Sequence, residues 1–111
     1  MKPRDEQIIN KILSEISVID DLIDNYTQEL FLKDEKTKRA VCMTLINIGE
    51  LAKSLTDEFR SETAYISWKG ISGMRDVTAH KYQTLKMEDV WYTVISEIPK
   101  LKEQLHILVK V

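Results

Sequence analysis

The segment GMRDVTAHKY, residues 73 to 82, places three side chains of complementary chemistry close together. Arg75 carries a permanent charge on a forked donor group, His80 titrates near neutral pH, and Tyr82 carries a phenolic hydroxyl. An arginine can bind phosphate oxygens bidentately, and a histidine can move the proton of an attacking or leaving oxygen. With a ribose 2′-hydroxyl as nucleophile, a pair such as Arg75 and His80 could cleave RNA without a metal or other cofactor.

Helical geometry separates these two catalytic candidates. Five residues at about 100° each place Arg75 and His80 roughly 140° apart around an ideal helix. Either the helix ends before His80 and the chain turns back, or two chains of a dimer complete one site. Asp76 is four residues before His80, so it can face that imidazole, fix its tautomer and favour its charged form.

A purely structural interpretation of the segment stays open on spacing alone. Arg75 can pair with a carboxylate, His80 can end a helix near its negative pole, and Tyr82 can anchor a loop. Lys69 and Lys81 flank the motif and are weaker candidates for binding a phosphate, because isolated surface lysines are common.

Apolar periodicity predicts an all-helical scaffold for this motif. Isoleucines from residue 8 to 23 recur at steps of three and four, which predicts a first helix from Pro3 to Asp24. Asn25 and Gln28 are predicted to cap a short second helix over TQELFL. The central helix is predicted over residues 35–60, and the fourth from Ser67 or Gly70 to Ala79.

The last predicted helix contains a proline. Apolar residues from Trp91 to Leu108 keep helical spacing, but Pro99 lies inside the stripe and removes a backbone donor, so a kink or break is expected near Glu97. The sequence therefore predicts one all-α domain over residues 1–111, an up-and-down bundle of four to five helices.

Length, charge and cysteine content narrow the function classes. At 111 residues the chain fits one domain and is small enough that a homodimer is expected. The net charge of −2 gives no global basic field, so an RNA substrate needs a local cluster of cations. Cys42 is the single cysteine, which excludes an intrachain disulfide and zinc-ligand spacing. The amino-terminal segment does not read as a signal peptide or membrane span, so a cytoplasmic protein is expected.

The order of several motifs resembles the HepT-like proteins of the HEPN superfamily. MRDVTAHKY matches their Arg, four residues, His, one residue, Tyr pattern, and NIGELAKSL is similar to their Gly-Glu-x-x-Lys segment. ISWKGISGMRD resembles their Trp before the Met-Arg step, and MEDVWYTVISEIPKLKEQL resembles the proline-containing helix after the motif.

The resemblance implies a dimeric helical bundle that acts as a ribonuclease toxin. It implies catalytic roles for Arg75 and His80, a polar position at Asp76, and adenylylation of Tyr82 by a minimal nucleotidyltransferase antitoxin. Many members carry asparagine where this chain has Asp76. The alternative is a non-catalytic subunit that binds nucleotide or substrate for the nucleotidyltransferase.

Overall fold

The computed structural model of the chain describes residues 1–80 and 82–109, and for residues 75–80 it describes the backbone. The elements over these residues are all helical, which confirms the predicted all-α class. The α-helices, in chain order, are α1 (Pro3–Leu22), α2 (Gln28–Lys33), α3 (Glu35–Lys53), α4 (Asp57–Glu62), α5 (Trp68–His80), α6 (Met87–Tyr92) and α7 (Ile98–Val109).

Four long helical units form the bundle, and α2 and α4 are short connecting helices. The units are α1, α3, α5 and the continuous segment from α6 to α7. Helix α3 lies in the middle, because it packs against both α1 and α5. Ile12, Ile16 and Ile19 of α1 and Ile48 of α3 are fully buried, as their spacing predicted.

The predicted central helix over residues 35–60 is wrong at its carboxyl end. Helix α3 ends at Lys53, and α4 begins at Asp57 with Thr56 as its N-cap. The buried carboxylate of Asp5 accepts hydrogen bonds from Thr56 N at 2.9 Å and Thr56 Oγ1 at 2.8 Å. These bonds pair polar groups of Thr56 that a continuous helix would bond differently, so they stabilise the interruption.

The predicted cap of the second helix is also wrong. Thr27 is the N-cap of α2, and its Oγ1 accepts a hydrogen bond from Leu30 N at 3.2 Å. Asn25 instead has a φ of 62°, in the left-handed region that asparagine tolerates better than most residues. Its role is therefore to turn the chain between α1 and α2.

The predicted irregularity before Pro99 takes the form of a π-helical turn. This turn spans Thr93–Glu97 and joins α6 to α7 without a break. Proline at position 99 cannot donate a backbone hydrogen bond, and its ring crowds the carbonyl of Ile95 one turn earlier. The wider turn is one of the known ways in which a helix accommodates such a disruption.

Cys42 and the two tryptophans are packing residues of the described helices. Cys42 is a buried free thiol, and burial raises its pKa to about 11, so it has the inert character of a packing residue. Trp68 and Trp91 are buried, and the Trp68 indole donates to Thr63 Oγ1 at 2.8 Å. None of the helices that the structure describes is long and apolar enough to cross a membrane.

Candidate functional site

Helix α5 carries the motif positions Arg75, Asp76 and His80. Its backbone is helical from Trp68 through His80, one residue beyond the predicted end at Ala79, so of the two alternatives the helix that ends before His80 is not observed. Arg75 and His80 are therefore about 140° apart around the axis, and a site completed by two chains stays a prediction. The side chains of Arg75, Asp76 and His80, and all of Lys81, lie outside the described residues, so their roles stay predictions.

A groove rich in cations borders the first turns of α5. We call it the cationic groove; its volume is about 550 Å³ and its lining consists of Lys53, Arg60, Trp68, Lys69, Ser72 and Gly73. The groove includes Lys69, which the sequence singled out as a weak phosphate contact. Lys53 and Arg60, on α3 and α4, were not predicted as part of a site, because a basic residue on a helix is usually an ordinary surface charge.

The cationic groove leads toward the motif along one side of α5. Positions 69, 73, 76 and 80 follow one another at steps of four, three and four, so they occupy the same side of this helix. A polyanion bound by Lys69 can therefore extend toward the positions of Asp76 and His80. Arg60 is half-buried and also pairs with Asp57, which holds the guanidinium beside the groove.

Tyr82 lies on the opposite end of the site, against the first turn of α3. Its hydroxyl donates to Glu35 Oε2 at 2.7 Å, and the guanidinium carbon of Arg39 lies 4.8 Å from the centroid of its ring. Glu35 Oε2 also accepts from Arg39 Nε at 2.7 Å, and Lys38 Nζ lies 3.4 Å from Glu35 Oε1. We call Glu35, Arg39 and Tyr82 the tyrosine cluster.

The tyrosine cluster changes the acidity of both of its titratable partners. Partial burial and the hydrogen bond to Glu35 raise the pKa of Tyr82 to about 12. The same hydrogen bond, with the nearby Lys38 and Arg39, lowers the pKa of Glu35. At neutral pH the pair is therefore a neutral phenol donating to a carboxylate.

Glu35 and Arg39 were missed by sequence reasoning for a simple reason. Glu35 is 47 residues from Tyr82 along the chain, and an i, i+4 pair of Glu and Arg reads as an ordinary surface ion pair. The side chains of Glu35 and Arg39 are 56% and 61% exposed, so the cluster lies at the surface where a partner can reach it.

Gly73 lies between the cationic groove and a second, more apolar cavity. That cavity has a volume of about 430 Å³ and is lined by residues of α3, α5 and α6 and the segments beside them, namely Leu45, Gly70, Gly73, Met74, Leu85, Asp89, Val90 and Thr93. Among the described atoms, none lies within 4 Å of a Cβ built on Gly73. A Cβ on Gly70 would lie 2.9 Å from Ser67 Oγ, so the serine hydroxyl would have to shift to accommodate a side chain there. Within the same described part of the molecule, no three His, Cys, Asp or Glu residues form a group suited to a metal ion.

A family model described as "Ribonuclease HepT-like" matches residues 12–108. The chain belongs to the HepT-like ribonuclease family. The match covers α3, α5, the motif and the segment up to α7, so the motif positions lie within the matched region. The membership of this family that the quoted motifs indicated is therefore confirmed.

Curated relatives of this HepT-like chain come from bacteria and archaea. It is 35% identical over 96 residues to a protein provisionally named an RNase from Caldanaerobacter subterraneus subsp. tengcongensis, which covers 86% of each chain. It is 35% identical over 94 residues to "Probable ribonuclease HepT" of Thermococcus cleftensis, which covers 81% of this chain and 86% of the relative. No solved structure matches the chain.

Proposed function

We propose that this HepT-like protein is a metal-independent endoribonuclease and the toxin of a toxin–antitoxin pair. Arg75 and His80 cleave RNA in a cleft between two protomers, and adenylylation of Tyr82 by a minimal nucleotidyltransferase neutralises the toxin. The observation that carries the nuclease part is the cationic groove, which runs along α5 toward the motif in a chain whose family is described as ribonuclease.

The proposed reaction is an intramolecular attack on the RNA backbone. The ribose 2′-oxygen bonds to the adjacent phosphorus, the bond from phosphorus to the 5′-oxygen breaks, and a 2′,3′-cyclic phosphate remains. His80 moves either the proton that the 2′-hydroxyl loses or the one that the 5′-oxygen gains, water exchanges the other, and Arg75 stabilises charge on the phosphoryl oxygens. DNA lacks the 2′-hydroxyl and is spared.

Asp76 is proposed to support His80. A carboxylate one helical turn before an imidazole favours the charged ring and holds one tautomer. Lys69 binds a neighbouring phosphate in the cationic groove, and Lys81 adds positive potential beside the motif. Two protomers related by a twofold axis then bring Arg75 of one chain and His80 of the other into one cleft.

The Tyr82 hydroxyl is the proposed acceptor of the adenylyl group. It is a poor catalytic base for RNA cleavage, since its pKa of about 12 keeps it protonated at neutral pH. An adenylate on this oxygen would add a negatively charged phosphodiester and an adenine ring two residues after His80. Both groups would compete with RNA for the proposed site.

The test combines growth and cleavage. Expression of the wild type is expected to arrest bacterial growth, and Arg75→Ala and His80→Ala are each expected to relieve the arrest and slow RNA cleavage at least about a hundredfold. His106→Ala is the matched control, because this second histidine lies exposed in α7, away from the motif. Cleavage is expected to persist with EDTA and to leave a cyclic phosphate.

Two outcomes would contradict the nuclease proposal. If His80→Ala cleaves RNA as fast as His106→Ala does, His80 has no catalytic role. A wild type that is harmless and does not cleave RNA, yet binds a minimal nucleotidyltransferase, would favour the non-catalytic subunit instead.

A further inference from the structure

The tyrosine cluster holds more than an acceptor hydroxyl. A carboxylate contacts the hydroxyl and a guanidinium lies over the ring, and all three side chains come from this chain. We infer that Glu35 is the general base for adenylylation of Tyr82, and that Arg39 pairs with the phosphoryl group as it arrives. The inference rests on the proposed modification of Tyr82.

The geometry meets the first requirement for a general base. A base must lie within hydrogen-bonding distance of the proton that it removes, and Glu35 Oε2 lies 2.7 Å from the Tyr82 hydroxyl oxygen. A carboxylate that accepts the proton of an attacking hydroxyl is a recurring element of phosphoryl transfer. A phenol has almost no ionised fraction at neutral pH, so the proton must leave as the new bond forms.

The proposed step is balanced with a nucleoside triphosphate supplied by the nucleotidyltransferase. The Tyr82 oxygen bonds to the α-phosphorus of ATP, the bond from that phosphorus to the β-phosphate oxygen breaks, and pyrophosphate leaves with the electron pair. The hydroxyl proton passes to Glu35 Oε2 and then to water. The products are Tyr82-linked adenylate and pyrophosphate.

Arg39 contacts both Glu35 and the Tyr82 ring, so its guanidinium lies close to the proposed acceptor side chain. Its Nε donates to Glu35 at 2.7 Å, and its guanidinium carbon lies 4.8 Å from the centre of the Tyr82 ring. When Glu35 takes a proton it becomes a weaker partner for Arg39, while negative charge grows on the α-phosphoryl oxygens. A guanidinium has donors on several sides, so Arg39 can turn to the new phosphodiester and stabilise it.

The test compares Glu35→Gln with the wild type in the rate at which the nucleotidyltransferase partner and ATP modify purified protein. Glutamine has nearly the same shape and can still accept the Tyr82 hydrogen bond, but it is not a base at neutral pH. We expect kcat for adenylylation, followed by intact-mass spectrometry, to fall at least about a hundredfold, with the KM for the HepT-like substrate unchanged. RNA cleavage by unmodified Glu35→Gln should equal that of the wild type.

Glu29→Gln is the matched control. Glu29 lies in the first turn of α2 as Glu35 lies in the first turn of α3, and it also pairs with a lysine, Lys33, at 3.6 Å. This variant is expected to be modified at the wild-type rate. Tyr82→Phe should remain unmodified.

The outcomes separate the inference from the proposal on which it rests. If the wild-type protein is not adenylylated, both the proposed modification of Tyr82 and the role of Glu35 are overturned. If the wild type is modified and Glu35→Gln is modified with the same kcat for adenylylation, only the role of Glu35 is overturned. If Glu35→Gln loses both RNA cleavage and adenylylation, Glu35 is a structural residue, and the inference would again be overturned.

Discussion

At the scale of single residues, Asp34 shows how a surface carboxylate becomes tied to the fold. Its side chain caps α3 by accepting from Thr37 N at 3.1 Å, and it also accepts from the hydroxyls of Tyr26 at 2.5 Å and Thr37 at 2.8 Å. The Tyr26 bond, followed by those of Thr37, lowers the pKa of Asp34 to about 2. The charged form is therefore favoured in the folded state.

This shift predicts a pH dependence of stability. The pKa of Asp34 is lower when folded than when unfolded, so its stabilising contribution is present above about pH 4 and is lost as the pH falls toward 2. Asp34→Asn keeps an N-cap side chain but removes the titration. Between pH 4 and pH 2 the urea midpoint of the wild type should therefore fall more steeply than that of Asp34→Asn.

Asp24→Asn is the control for this titration, since Asp24 is exposed in the turn after α1. Its midpoint should follow the wild type through the same pH range. If Asp34→Asn also follows the wild type, the hydrogen bonds to Asp34 do not favour its charged form in solution.

Prediction at the scale of residues depends on information that is local in the sequence. The spacing of Arg75, His80 and Tyr82 is a property of eight consecutive residues, so the sequence identified these candidates directly. Glu35 contacts Tyr82 across 47 residues, and nothing in the local pattern links the two. The fold decides which carboxylate meets which hydroxyl, so the tyrosine cluster required the structure.

At the scale of elements, the break between α3 and α4 shows the limit of periodicity. Ala52, Leu55 and Phe59 continue the apolar steps of three and four and are all buried, so the pattern passes through the break unchanged. The bonds that stabilise the break come from Asp5, which is 51 residues from Thr56. Long helices with uninterrupted stripes were predictable, whereas an interruption stabilised by a distant residue was not.

Asp5 and Thr56 are therefore expected to be energetically coupled. Asp5→Ala removes two acceptors and leaves a backbone donor of Thr56 unpaired, which should cost about 1–3 kcal/mol of unfolding free energy. Thr56→Ala removes the cap of α4 and should cost about 1 kcal/mol. Because both changes break the same bond, the double variant should lose less than the sum by about 0.5 kcal/mol or more.

Denaturant unfolding of the four proteins in this cycle measures the coupling. Glu6→Ala, in the same turn as Asp5 but exposed, supplies the control pair and should add to Thr56→Ala within about 0.5 kcal/mol. Additivity of Asp5→Ala with Thr56→Ala would mean that Asp5 does not stabilise the break through Thr56.

At the scale of the whole molecule, the unbroken α5 makes assembly part of the proposed chemistry. The helix continues through His80, so Arg75 and His80 of one chain are on different sides of the same helix. Gly73 borders both the cationic groove and the neighbouring apolar cavity. In the proposed dimer, this position is where the second protomer approaches α5 beside the motif.

Gly73→Leu is expected to weaken the proposed dimer without unfolding the protomer. No described atom lies within 4 Å of a Cβ at this position, and leucine is a better helix former than glycine by up to about 1 kcal/mol, so helical content should be retained. A leucine would fill the space that a second chain needs, so the dimer Kd should rise at least about tenfold, as measured by sedimentation or light scattering across a dilution series. RNA cleavage should fall over the same concentration range in which the dimer dissociates.

Ser17→Leu adds the same side chain at an exposed position of α1 and should leave both assembly and cleavage unchanged. A Gly73→Leu monomer that cleaves RNA at the wild-type rate would show that one chain contains the complete site.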